Sequence, residues 1–123
     1  MYEVSINASF SAAHHLRGYP GSCAAVHGHN WEVEVFVRGA TLNGTGILVD
    51  FRQLKAAVME ELSRLDHADL NTLDPFRDRN PTSENLARHL FTALSVRFAG
   101  PDCRVARVAV RETPGSRASY WEP

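Results

Sequence analysis

From Tyr2 to Ala13 the chain alternates without a break, with Val4, Ile6, Ala8, Phe10 and Ala12 set against Glu3, Ser5, Asn7, Ser9 and Ser11. A period of two sends successive side chains to opposite faces, so this stretch predicts a strand with one buried face and one wet face. The pattern returns from about His27 to Arg38, where Trp31, Val33, Val35 and Val37 oppose Glu32 and Glu34. Between them "RGYPGS" carries Gly18, Pro20 and Gly21 as breakers. An antiparallel pair joined through this loop is the natural reading.

The period then changes. Asp50 suits an N-cap, with Gln53 placed for a capping box, and Phe51, Leu54, Val58, Leu62 and Leu65 form a helical stripe across 51–65. A polar loop, "DHADLNTLDPFRDRNP", leads to a second helix. Thr82 is its N-cap, Glu84 favours its positive end, and Leu86, Leu90, Leu94 and Phe98 are its apolar stripe. Strands at about 104–112 and 116–122 flank "TPGS". The order β-β-α-α-β-β predicts an α+β fold, a four-stranded antiparallel sheet with two helices on one face. Such a sheet leaves two edges, which invites assembly.

At 123 residues, 44% of them hydrophobic, the chain is long enough for one domain, 1–123, with its own core. A net charge of -1 and the lack of a basic block argue against nucleic acid or a membrane surface as partner. Two cysteines, Cys23 and Cys103, make no disulfide framework, although one bridge between them stays open. "MYEVSINASF" has no basic region or long apolar run, so no signal peptide is expected, and a reducing cytoplasm is the expected compartment.

The chemistry-bearing residues extend the strand patterns. His14 continues the apolar series of the first strand, and His27 and His29 continue that of the second. In a hairpin these ends meet, so three imidazoles converge on the buried face. A bulge near Ala13 would put His15 there in place of His14. Three histidines with one open position form a common catalytic zinc arrangement. The alternative is three strand histidines satisfied by neighbouring carbonyls.

Cys23, four positions before His27, would be a thiolate base or nucleophile beside a cation, a fourth metal ligand, or an inert loop thiol. Cys103 reads as a small apolar filler and His89 as structural. Asp66 directly before His67 fits a carboxylate that orients an imidazole, or a solvated helix end. Glu112 continues the series Ala106, Val108 and Val110. There it is either a strand end in water or an acceptor for a guanidine-like N–H pair.

Taken in order, "FSAAHHL", "CAAVHGHNWEVEV", "GILVDF", "LDHADLN", "NPTSEN" and "VRET" resemble the 6-pyruvoyltetrahydropterin synthase/6-carboxytetrahydropterin synthase family over nearly the whole length. The resemblance implies Zn2+ held by His14, His27 and His29, with Cys23 as catalytic thiolate and Asp66 with His67 as proton-transfer partner. It implies that Glu112 anchors the amino-pyrimidine edge of a pterin and that Thr82 and Ser83 line the pterin pocket. The implied architecture is the tunnelling fold (T-fold), with trimers closing into a barrel, two trimers stacking as a homo-hexamer, and sites between subunits. The implied substrate is 7,8-dihydroneopterin triphosphate, reduced internally without a nicotinamide.

The spacing Cys-x-x-x-His-Gly-His resembles the queuosine-pathway branch, whereas the pyruvoyl-forming branch has a longer gap. Ala24, Ala25 and Val26 offer no glutamate of the kind a folate-linked branch places here. The expected activity is therefore that of a lyase, 6-carboxytetrahydropterin synthase, releasing acetaldehyde and triphosphate. The pyruvoyl-forming sister and a non-catalytic metal-binding scaffold are the alternatives.

Overall fold

Both alternating stretches form strands, and their apolar faces meet. In the computed structural model, which describes residues 1–123, β1 (Tyr2–His14) pairs antiparallel with β2 (His27–Gly39). The register sets Val4 against Val37, Ile6 against Val35, Ala8 against Val33 and Phe10 against Trp31. The even residues of β1 and the odd residues of β2 therefore make one apolar surface, whose β2 members Trp31, Val33, Val35 and Val37 are fully buried.

Two helices cover that surface. In α1 (Phe51–Ser63) Leu54, Ala57, Val58 and Leu62 face inward, and in α2 (Ser83–Arg97) Leu86, Ala87, Leu90, Phe91 and Leu94 do so. Asp50 caps α1 by accepting from the Arg52 amide at 2.8 Å. Gln53 adds no return bond, so the capping box expected there is one-sided. Thr82 caps α2 by accepting from the Asn85 amide at 3.1 Å. Phe51, placed in the first stripe by its spacing, is 58% exposed because it begins the helix beyond the edge of the core.

The sheet is larger than expected, five strands in the order β3-β1-β2-β4-β5. The extra strand, β3 (Ala68–Asp69), lies in the segment read as a polar loop and runs parallel to β1 at Ala12 and Ala13. Two 3-10 turns follow it and bury Leu70 and Phe76. Alternation could not reveal a two-residue strand.

β4 (Arg104–Thr113) lies beside β2, and β5 (Ser116–Tyr120) completes the far edge. A bulge opposite Phe36 and Val37 shifts the inward face of β4 from Val108 to Val105, so Val105 joins the core cluster where the even series pointed to Ala106. Beyond the bulge the even series holds, and Val108 and Val110 lead towards Glu112. No helix is long and apolar enough to cross a membrane.

Candidate metal centre and active site

Regular pleating carries the buried face of the hairpin to its loop end. His14 pairs with His27 and Ala12 with His29 in unbroken register, so no bulge intervenes at Ala13. His14 keeps the inward face at 1% exposure. His15 stays on the other face, where its amide donates to Asn71 Oδ1 at 2.9 Å and its carbonyl accepts from Asn71 Nδ2 at 3.0 Å.

The three imidazoles stand edge to face, with ring centres 4.5 Å apart for His14 and His27, 5.2 Å for His14 and His29, and 4.9 Å for His27 and His29. The indole of Trp31 packs against both His14 and His29 and donates from Nε1 to the Ala12 carbonyl at 3.2 Å. β4 delivers Glu112 to the same place. Its Oε1 lies 3.0 Å from His14 Nε2 and 2.9 Å from His29 Nε2. One ligand atom from each of His14, His27, His29 and Glu112 falls within 4.8 Å of the others, close enough to hold one ion.

Hydrogen bonding orients this set. His14 Nδ1 donates to the Pro81 carbonyl and His27 Nδ1 to the Ala25 carbonyl, both at 2.7 Å. A carbonyl only accepts, so Nδ1 carries a proton in both rings and Nε2 is the nitrogen left to a ligand; His14 Nε2 also lies within hydrogen-bonding distance of Glu112 Oε1, at 3.0 Å. Outer carbonyls fix histidine tautomers in this way at metal sites. His29 Nε2 is buried and makes no hydrogen bond despite its approach to Glu112. Burial, with His14 and His27 alongside, pulls His29 below the ordinary histidine range despite the opposing pull of Glu112. A neutral ring is the form that ligates. The donor set fits a divalent transition ion.

The other expected residues lie outside this cluster. Cys23 lies in the 3-10 turn Ser22–Ala24, a half-buried free thiol outside the four-group cluster. Its carbonyl accepts from the Leu16 amide at 2.8 Å, which draws the two arms of the loop together.

Asp66 and His67 form a real pair, with Asp66 Oδ2 2.9 Å from His67 Nδ1. The other oxygen, Oδ1, accepts from the Ser11 amide at 2.9 Å, and the His67 amide donates to the Ser11 carbonyl at 2.6 Å. The Ser11 amide and then His67 hold the Asp66 carboxyl below its ordinary range. His67 has φ 57, a left-handed conformation that costs a non-glycine residue about 1–3 kcal/mol and survives where its surroundings impose it. His29 and His67 line one shallow groove of about 540 Å3, with Ser11 and Asn30 between them.

Thr82 and Ser83 directly follow Pro81, whose carbonyl orients His14, so the start of α2 abuts the centre. The oxygen of Thr82 is occupied as the helix cap. Arg17, in the loop after β1, is engaged in structural hydrogen bonds. Its guanidinium donates to the Arg77 carbonyl at 2.7 Å and the Phe76 carbonyl at 2.6 Å. Sequence reasoning missed the roles of Pro81, Ala25 and Ser11, because backbone groups act there and no side-chain type signals them.

Residues 3–123 match the family described as 6-pyruvoyl tetrahydropterin synthase. The chain belongs to that family. It is 37% identical over 120 residues to the 6-carboxy-5,6,7,8-tetrahydropterin synthase of Synechocystis sp., covering 94% of this chain and 89% of the relative. Identity to the Bacillus subtilis protein of the same name is 34% over 128 residues, with coverage of 97% and 84%. The solved structure of Caenorhabditis elegans 6-pyruvoyl tetrahydropterin synthase superposes with a TM-score of 0.88 at 28% identity, covering 99% of this chain and 96% of that one. The family thus includes proteins named for both outcomes, carboxy and pyruvoyl. The α+β T-fold expected from the motifs is the fold of this family member.

Proposed function

We propose that the protein is a zinc-dependent 6-carboxytetrahydropterin synthase, converting 7,8-dihydroneopterin triphosphate and water to 6-carboxy-5,6,7,8-tetrahydropterin, acetaldehyde and triphosphate. The observation that carries this reading is the convergence of His14, His27 and His29 beside Glu112, within a chain whose curated relatives bear this name. Zinc, when bound, supplies Lewis-acid polarisation of side-chain oxygens.

The protein's own groups do the rest. Glu112, at the end of a buried strand face, accepts the N–H pair of the amino-pyrimidine edge and orients the ring. Ser83 and the exposed part of Thr82 border that pocket. Cys23 Sγ takes a proton from the substrate side chain as thiolate. His67 keeps Nδ1 on Asp66, which leaves Nε2 to exchange protons from the opposite side. Elimination of triphosphate and internal reduction of the ring balance the electrons, and cleavage of the side chain by water yields the carboxylate and acetaldehyde.

Cys23 stands four positions before His27, the spacing that resembles the queuosine-pathway branch. The pyruvoyl-forming reaction is the second reading, favoured by the likeness to the Caenorhabditis elegans enzyme. A non-catalytic scaffold would have no use for the ordered Asp66–His67 pair.

Assembly into a homo-hexamer, with sites between subunits, is part of the proposal. Long β1 is paired on its outer side only at Ala12 and Ala13, and β5 forms the other edge, so most of one long strand edge is open to another copy. Sedimentation of the purified protein tests this, and a monomer at micromolar concentration would refute it.

The activity test incubates zinc-loaded protein with 7,8-dihydroneopterin triphosphate, identifies products by mass spectrometry and assays acetaldehyde. A carboxylated tetrahydropterin with acetaldehyde is expected. A pyruvoyl product without acetaldehyde would favour the sister reaction, and no conversion by zinc-loaded protein would favour the scaffold.

A further inference from the structure

Glu112 sits closer to the imidazoles than a ring anchor needs to be. A single oxygen, Oε1, meets two Nε2 atoms at 3.0 and 2.9 Å. His14 Nε2 is within hydrogen-bonding distance of Oε1, but His29 Nε2, buried beside the same oxygen, makes no hydrogen bond. A buried ring nitrogen that faces a carboxylate oxygen without a hydrogen bond is an unfavourable contact, and a cation shared by the two atoms would satisfy both. Ligands about 2.0–2.2 Å from a tetrahedral ion lie roughly 3.3–3.6 Å from one another. The Glu112 contacts are shorter than that edge, so Oε1 would shift outward by a few tenths of an ångström to share an ion with the rings, and the four groups already lie within 4.8 Å of one another.

We propose that Glu112 is a fourth ligand closing the metal site when no substrate is bound, and that a pterin ring opens the site by drawing this carboxylate away. The second half rests on the pterin reading above. A planar amino-pyrimidine edge presents two parallel N–H groups, and a bidentate pair occupies both carboxylate oxygens. Oε1 then exchanges the ion for the ring. The side chain is free enough to swing, being 34% exposed and one residue from the end of β4. Four protein ligands make a closed site and three an open one. Ring recognition would therefore uncover the ion only when the substrate is there to use it.

Co2+ reports this directly, because its visible absorption depends on ligand type and number. Wild type and Glu112→Gln are loaded with Co2+, their affinities are measured by chelator competition, and far-UV circular dichroism verifies folding. Glu112→Asp, one methylene shorter, is the second variant. Loss of the fourth ligand in Glu112→Gln is expected to weaken Co2+ binding at least ~10-fold, the scale on which even outer-shell partners matter, and to change the spectrum. Unsubstituted pterin, which has no side-chain oxygens to reach the ion, is then added, with its binding followed by its own fluorescence. The wild-type spectrum is expected to move towards that of Glu112→Gln.

Equal affinity and identical spectra for wild type and folded Glu112→Gln would overturn Glu112 as a ligand. An unchanged wild-type spectrum with pterin demonstrably bound would overturn the hand-over. Failure of pterin to bind at all would instead count against the pterin reading, while the Co2+ comparison of wild type and variant still decides ligation.

Discussion

Asp66, just past the end of α1, accepts a hydrogen bond from the amide of Ser11, 55 residues earlier in β1, at 2.9 Å. Its other oxygen meets His67, whose amide returns to the Ser11 carbonyl. One carboxylate thus pins a histidine of unfavourable φ to the sheet edge where β3 begins. The Ser11 amide holds Asp66 below its ordinary range, so it is ionised at neutral pH, and the stability it adds is lost only as pH falls through that lowered value. Asp66→Asn should lower kcat with little change in KM, because it removes the charge that orients His67. A normal kcat across the pH–rate profile would remove Asp66 from the proposed mechanism.

Cys23 lies outside the four-group cluster, so its loss should separate metal binding from turnover. Cys23→Ala is expected to retain one metal ion per chain while kcat falls by about 10²–10⁴, the span typical of general acid–base groups. His27→Ala should do the reverse first, weakening metal affinity by more than the roughly 10–100-fold cost of losing an outer partner. Elemental analysis after gel filtration, paired with the acetaldehyde assay, reads both variants. Metal loss from Cys23→Ala would make the thiol a ligand.

His89 titrates away from the site. It is half-buried on α2, edge-on to Phe76 with ring centres 5.6 Å apart. Burial pulls it below the ordinary histidine range, Glu61 opposes that shift and Arg64 adds to it. The unfolded chain therefore takes the proton first as pH falls, and stability declines through the ordinary histidine range. His89→Gln should show a smaller drop in Tm between pH 7.5 and 5.5 than wild type. An equal drop would mean that His89 is not held neutral by burial.

Gly39 ends β2 where a side chain has no room. An added Cβ would run into the Asp102 carbonyl oxygen and the Leu48 side chain, whereas at Gly115 it would meet nothing. Gly39→Ala should cost about 1–3 kcal/mol, the usual range for overpacking, and Gly115→Ala close to nothing. Urea unfolding of both variants tests this. Equal midpoints would show that the 99–103 segment yields freely.

Much of this protein is legible in its sequence because alternation and helical stripes are properties of the local backbone. Period two placed His14, His27 and His29 on the buried face, and the unbroken hairpin register kept them there. The even series of β4 likewise carried Glu112 towards the same end. Phe51 and Ala106 mark where local periodicity misleads, one at a helix start beyond the core and the other at a bulge that shifts the face. Only the tertiary structure set Glu112 Oε1 against His14 and His29, oriented the rings of His14 and His27 with the carbonyls of Pro81 and Ala25, and tied Asp66 to Ser11. The pairs His14–Pro81 and His14–Glu112 are 67 and 98 residues apart. Such contacts depend on how helices cross the sheet and where backbone carbonyls come to rest, and no local period encodes either.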